Sequence, residues 1–359
     1  MSDRVFNFSA GPSVMPESVL KKAGSEILNY GGSGMSVMEM SHRSAAFTDI
    51  FNNVKATFKS LMNVPDSHEV LFLQGGATAQ FASIPMNLMK SGSADYAVTG
   101  HFSKKAAVEA EKYGSVHIAC DTSAENHSVI PAQSALSLTD SSDYYYYCAN
   151  NTIYGTQWQY VPSSAAPLVC DMSSEILSKP VDVEKYGLIY AGAQKNMAPA
   201  GLTVVIIDKS LAGHEMPITP EIFSYKEMIS KDSMLNTPPC WCIYMLGLTC
   251  DWVREMGGLS AMEELSIERS RLIYDVLDES RFYTAHAQAD SRSRMNVTFR
   301  TPSDALDAEF VKGAAALGLV NLKGHKKTGG LRASLYNAMP IEGAVKLSEY
   351  MKKFEVEHV

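Results

Sequence analysis

The sequence predicts an α/β protein built on a mainly parallel sheet, followed by a smaller α+β unit, and three observations carry that expectation. Short apolar runs recur at residues 69–73, 144–149, 167–170, 188–191 and 202–207, mostly separated by polar or helical stretches. Runs of that kind suit strands buried on both faces of a sheet. The first run, EVLFL, meets Gln74-Gly75-Gly76-Ala77-Thr78, after which Phe81, Ile84, Leu88 and Met89 recur at helical spacing. That order is strand, tight turn, helix. Near Met262 the texture changes, because Leu265, Leu272, Ile273, Val276 and Leu277 form one apolar face of a helix running to about Ser280.

Beyond that helix, residues 295–299 read as a strand, 308–317 as a helix and 343–354 as a closing helix. The expected division is a large domain at 1–258 and a small C-terminal domain at 259–359. The chain has 359 residues, enough to bury a full core without a disulfide or metal staple.

Composition narrows the function. A formal net charge of −8 disfavours broad binding to nucleic acid or anionic lipid, so an anionic ligand must be met by a local cationic cluster. Residues 1–10 contain charges and no apolar run of signal-peptide length, and no later segment approaches the roughly 20 apolar residues of a membrane span. A cytoplasmic protein that binds neither membrane nor nucleic acid is expected. Its six cysteines, Cys120, Cys148, Cys170, Cys240, Cys242 and Cys250, have no Cys-x-x-Cys spacing and no histidine at a zinc-finger interval. They read as reduced thiols, and no metal is expected even at Cys240 and Cys242, which flank Trp241.

The most informative stretch runs from 168 to 207. Asp171 and Lys195 lie 24 positions apart (195 − 171), each just beyond an apolar run. In an open α/β sheet the carboxyl ends of neighbouring strands share a crevice, so both side chains can face one ligand. An amine and a carboxylate placed so suit pyridoxal phosphate. That cofactor needs a lysine to hold its aldehyde as a Schiff base and an anion to keep its ring nitrogen protonated as an electron sink. Lys195 would then be the general base that moves the substrate α-proton, and Asp171 would support the transition state. A lone lysine is usually a solvated surface group. Here, however, Ala191-Gly192-Ala193-Gln194 and Met197-Ala198-Pro199-Ala200-Gly201 flank it, small residues that let a bulky ligand approach. The Gly75–Thr78 turn, at a strand-to-helix junction, offers backbone N–H groups to a phosphate, although an ordinary tight turn would look much the same.

Four segments, FNFSAGPSVMP, SVMEMSHRS, DMSSEILSKPVDVEKYGLIYAGAQKN and GGLRASLYNAMP, occur in order between Phe6 and Pro340 and resemble signature segments of phosphoserine aminotransferases. The resemblance implies the fold-type I architecture of pyridoxal-phosphate enzymes, with a seven-stranded large-domain sheet, and a homodimer with shared active sites to which segment 1–15 contributes. It makes Lys195 the Schiff-base lysine and Asp171 the partner of the pyridine nitrogen. Thr152 becomes a donor to the cofactor's phenolic oxygen, and Ala77, Thr78 and Gln194 hold its phosphate. Asn236 and Thr237 match residues that reach the phosphate from the neighbouring subunit. Phe102 stands where relatives often carry a tryptophan platform; phenylalanine still stacks, with a smaller face and no indole N–H.

For the substrate, the resemblance gives Arg332 the α-carboxylate. His325 and Lys326, joined by His42 and Arg43 from the other subunit, would bind the phosphate, and Ser9 matches a residue near the substrate. Lys326 replaces a common arginine, giving a point charge instead of a bidentate fork. The implied reaction exchanges O-phospho-L-serine and 3-phosphohydroxypyruvate with 2-oxoglutarate and L-glutamate in L-serine biosynthesis. The alternatives are another class-V aminotransferase, a cysteine desulfurase, which would need a mobile catalytic cysteine, and a non-catalytic nucleotide-binding protein, which would leave Lys195 without purpose.

Overall fold

The architecture is taken from a computed structural model that describes residues 4–359. Residues 1–3, included in the expected N-terminal segment and large domain, lie outside the described residues. Seven strands form the central sheet: β1 (His68–Leu73), β2 (Ser93–Val98), β3 (Ser115–Asp121), β4 (Tyr145–Cys148), β5 (Leu168–Asp171), β6 (Leu188–Gly192) and β7 (Thr203–Asp208). Their spatial order is β1-β7-β6-β5-β4-β2-β3. Neighbours from β6 to β3 pair in parallel, whereas β7 is antiparallel to both β6 and β1. The run at 202–207 is therefore the exception to the parallel reading. Short apolar strands buried on both faces look alike in either direction, and the tight link from β6 through residues 193–202 is what turns this one back.

The near-continuous apolar character of these strands follows from their being covered twice. On one face Tyr96, Tyr144, Tyr146, Val169, Tyr190 and Val205 pack with Phe81, Ile84 and Ala106, which belong to helices α2 (Gly76–Leu88) and α3 (His101–Ala110). On the other, Phe72, Tyr145, Tyr147, Cys170, Ile189 and Val204 pack with Phe47, Phe51, Ile243 and Leu246, drawn from α1 (Ala45–Leu61) and α4 (Cys240–Glu255). Alternate residues of one strand thus serve opposite cores. Helices α1 and α4 approach closely because Gly247 has no side chain; a Cβ there would lie 2.6 Å from Val54 Cγ2.

Helix α5 (Gly258–Glu279) leaves this body. Its first turns place Leu259 and Met262 in the core of the large sheet, and its later turns place Ile273, Val276 and Leu277 in another apolar cluster. That cluster is built on a three-stranded antiparallel sheet, β8 (Thr284–Ala285), β9 (Asn296–Arg300) and β10 (Leu331–Ser334), with α6 (Asp304–Ala316) and α7 (Ile341–His358). Helix α6 begins four residues before the expected start because the Ser303 hydroxyl caps it, accepting from Leu306 N at 3.3 Å. The N-terminal segment belongs to this second cluster through Phe8 and Val14, and Phe6–Asn7 pairs in parallel with Leu319–Val320. No helix among the described residues is long and apolar enough to cross a membrane.

Candidate active site

Six of the seven central strands point their carboxyl ends to one edge, and the chain leaves that edge through a series of turns. Asp171 ends β5, in register with Cys148 of β4 and Tyr190 of β6. Lys195 follows β6 in a turn whose Met197 and Ala198 N–H groups both bond to Ala193 O. Thr152 lies in the turn after β4, Phe102 in the first turn of α3, and Ala77 and Thr78 in the first turn of α2. A cavity of about 330 Å³ is lined by Gly76, Ala77, Thr78, Phe102, Thr152, Asp171, Gln194 and Lys195, together with His325 and Arg332 from the C-terminal unit. The amine and the carboxylate expected from the sequence share this one cavity.

Its hydrogen bonds fix the reactive groups. Lys195 Nζ donates to Thr152 Oγ1 at 2.9 Å, and Thr152 Oγ1 donates to Ser174 Oγ at 2.9 Å. Asp171 accepts from Ser173 N at 2.8 Å and from the Tyr190 hydroxyl at 3.0 Å. Arg332 Nη1 donates to Thr152 O at 3.2 Å, tying β10 to the turn after β4. Burial holds the Lys195 ammonium below the usual lysine value of 10.5, opposed by the negative charge of Asp171 and reinforced by Arg332. Burial likewise lowers His325 from 6.5, and the positive charges of Arg332, Lys326 and Lys327 add to the drop.

These residues fit pyridoxal phosphate. The first turn of α2 has N–H groups without intrahelical acceptors, and Gly75 and Gly76, at φ 94° and 65°, bring it into line with β1. A Cβ on Gly76 would meet nothing within 4 Å, so open space lies beside the turn. The flat face of Phe102 lies across the cavity, its ring centre 5.7 Å from Lys195 Nζ.

The remaining expected residues are placed differently. Ser9 does not line the cavity; its neighbours Ala10 and Gly11 do, and Ser13 bonds to the carbonyls of Gln194 and Lys195. Lys326 is exposed and lines a neighbouring open cleft with Arg300 and Asp304. Asn236 donates to Gln74 Oε1 at 2.7 Å away from the cavity, and Thr237, His42 and Arg43 also lie outside it. The His42 Nε2 is buried without a hydrogen-bond partner.

Sequence reasoning did not single out Cys148, Asn150, Ser173 or Ser174, which also line the cavity. The signal was present for the serines, since Ser173-Ser174 directly follows the Asp171 turn. Of the cysteines, it is buried Cys148 that reaches the cavity, not Cys240 or Cys242, and burial pushes its thiol far above the usual range. A protonated thiol fixed on a strand lacks the mobility and thiolate character of a nucleophile. Among the described residues, no group of three or more His, Cys, Asp or Glu could hold a metal.

A fold with this sheet edge, and a lysine, an aspartate and an arginine around one cavity, defines a pyridoxal-phosphate transaminase, and residues 5–347 match the model of the class-V aminotransferases. The chain belongs to the class-V aminotransferase family. A phosphoserine aminotransferase of Aromatoleum aromaticum is 49% identical over 363 aligned positions, covering 99% of both chains. The solved phosphoserine aminotransferase of Bacillus circulans subsp. alkalophilus superimposes with a TM-score of 0.97 at 41% identity over 100% of both chains. The pyridoxal-phosphate-bound phosphoserine aminotransferase of Trichomonas vaginalis gives a TM-score of 0.94 at 37% identity, covering 97% of this chain and 100% of that one. The fold is thus that of fold-type I pyridoxal-phosphate transferases.

Proposed function

We infer that the chain is a phosphoserine:2-oxoglutarate aminotransferase that reversibly exchanges the amino group between O-phospho-L-serine/3-phosphohydroxypyruvate and 2-oxoglutarate/L-glutamate in L-serine biosynthesis. The observation that carries this reading is the convergence of Lys195, Asp171, Arg332 and His325 on one cavity.

When bound, pyridoxal phosphate supplies a protonated pyridine ring that accepts the electron pair released when the substrate loses its α-proton. Lys195 would carry the cofactor's aldehyde and, once displaced by the incoming amine, take that proton and return it to the cofactor carbon. Its lowered pKa keeps more of the amine in the basic form this requires. Asp171 would face the ring nitrogen, Thr152 the phenolic oxygen and Phe102 the ring, while Ala77, Thr78 and Gln194 would hold the phosphate. Arg332 clamps the α-carboxylate with a fork that matches it. His325 reads the distal anion, a phosphate in one half-reaction and a carboxylate in the other, so two acidic substrates use one device. Ser9 supports the substrate through the segment that places Ala10 and Gly11.

A homodimer completes this site. Asn236 and Thr237 would reach the cofactor phosphate of the neighbouring subunit, and the partner subunit's His42 and Arg43 would join His325 and Lys326 on the substrate phosphate. The orphaned His42 Nε2 supports this, because a buried polar atom without a partner is costly unless a ligand or second chain supplies one. We place the boundary between large and small domains at 258/259, the start of α5, whose first turns still pack on the large sheet before its later turns enter the second apolar cluster. Six free cysteines fit a reducing, cytoplasmic setting.

The test is steady-state turnover of O-phosphoserine and of serine with 2-oxoglutarate as acceptor. A preference of at least about a hundredfold for the phosphorylated amino acid is expected, the effect of roughly two charge-assisted hydrogen bonds. Equal turnover of the two would overturn the assignment.

A further inference from the structure

Asp171 is met from behind by a chain of tyrosines. The Tyr190 hydroxyl donates to its Oδ2 at 3.0 Å, and the Tyr146 hydroxyl lies 2.8 Å from that of Tyr190. Both side chains are fully buried and neither lines the cavity. Each hydroxyl has one proton, and an ionised carboxylate can only accept. The Tyr190 proton is therefore committed to Asp171, and the bond between the two tyrosines must be donated by Tyr146. The direction of the chain is fixed by its end. Sheet register builds it: Tyr190 on β6 is the cross-strand partner of Asp171 on β5, and Tyr146 lies on β4, the strand on the other side of β5, on the same face, its ring stacked on Tyr96 at 4.8 Å. Burial raises both phenols well above 10, so they stay protonated donors over the working pH range.

We propose that Tyr190 is a positioning residue for catalysis, that Tyr146 and Tyr190 form a one-way donor chain holding Asp171 as the anion that keeps the cofactor's ring nitrogen protonated, and that Tyr146 acts only through Tyr190. This rests on the reading that Asp171 faces the ring nitrogen. A donor aimed at a carboxylate disperses its charge and lowers its basicity. The proton shared between ring nitrogen and carboxylate then stays on the ring, where the electron sink needs it. One hydrogen bond to a charged group shifts such an equilibrium by about ten- to hundredfold. The other oxygen, Oδ1, is held by Ser173 N at 2.8 Å, and the Ser173 hydroxyl accepts from Gly192 N at 3.0 Å. Asp171 is thus oriented from its own turn and tuned from the neighbouring strands.

The experiment uses holoenzyme loaded with pyridoxal phosphate isotopically labelled at the ring nitrogen, whose magnetic resonance reports protonation. Tyr190→Phe should move the resonance toward the neutral position, lower kcat by about tenfold with little change in KM, and weaken cofactor affinity. Tyr146→Phe should move the resonance the same way by less, and should add nothing in a Tyr190→Phe background. A wild-type resonance in Tyr190→Phe, or an undiminished effect of Tyr146→Phe in that background, overturns the proposal. Should Tyr190→Phe fail to fold, Tyr146→Phe alone decides, and an unchanged resonance in it overturns the proposal. Asp171→Asn separates the levels. If it leaves the ring protonated, the underlying reading of Asp171 fails; if it neutralises the ring while the tyrosine variants do not, only the donor chain fails.

Discussion

Lys195 Nζ and Thr152 Oγ1 lie 2.9 Å apart, so the amine is oriented by a side chain 43 positions earlier (195 − 152) on a different turn of the sheet edge. The same hydroxyl donates a hydrogen bond to Ser174 Oγ, which also accepts one from Asn150 Nδ2 at 2.8 Å. Replacing Thr152 with valine removes the orienting acceptor while keeping the branched shape. Turnover should fall by about ten- to hundredfold, the effect of one hydrogen bond to a charged group. Thr152→Ser should recover most of it; a kcat for Thr152→Val equal to wild type would remove Thr152 from the mechanism.

Lys195→Ala should abolish transamination, and the purified variant should lack the visible absorbance of covalently held cofactor. The depressed lysine pKa also has a consequence for the cofactor-free chain. Between the lowered folded value and the unfolded value of 10.5, the unfolded chain binds a proton that the folded chain does not. Stability therefore rises with pH across that window, and burying the charged form costs stability at every pH below it. The unfolding free energy of cofactor-free wild type minus that of Lys195→Met should become more favourable as pH rises toward 10.5. Urea titrations at a series of pH values measure it, and a flat difference would contradict the shift.

Arg332 and Lys326 differ in placement and should differ in effect. Arg332→Ala should raise KM for both phosphoserine and glutamate by at least about tenfold, since a partly buried guanidinium is lost. Exposed Lys326 acts across solvent, so Lys326→Ala should change KM by less than about threefold, more for phosphoserine than for glutamate, and less at high salt. Steady-state kinetics at two ionic strengths separate the two residues. Equal losses for both substrates in Lys326→Ala would refute its phosphate role.

His325 is held below 6.5 by burial and by neighbouring cations. A bound phosphate dianion opposes those cations and raises the value, so binding takes up a proton and phosphoserine binds more tightly as pH falls toward the free-enzyme pKa. KM for phosphoserine should decrease from pH about 7.5 to 6 in wild type and be flatter in His325→Gln, which keeps a hydrogen-bond donor without the titration. A parallel slope in both proteins would assign the effect elsewhere.

Much of the site was legible along the chain because its parts lie where apolar strands end. The end of Leu168–Asp171, the turn holding Lys195 and the Gly75-Gly76 junction are local features, set by burial of short strands and by the conformational freedom of glycine. Hydrophobic patterning likewise placed α5 and the closing helix α7, whose apolar stripes recur at helical spacing along the chain. What the sequence could not determine was strand direction and pairing. The reversal of β7 and the ordering of β5 between β4 and β6 depend on which surfaces fit together, and buried strands carry no mark of it. Only tertiary structure brings Cys148, Asp171 and Tyr190 into one register, draws Arg332 against Thr152 across 180 positions (332 − 152), and leaves Lys326 in solvent one residue from His325 in the cavity. Those outcomes follow from close packing, which decides distances between segments that local propensity never compares.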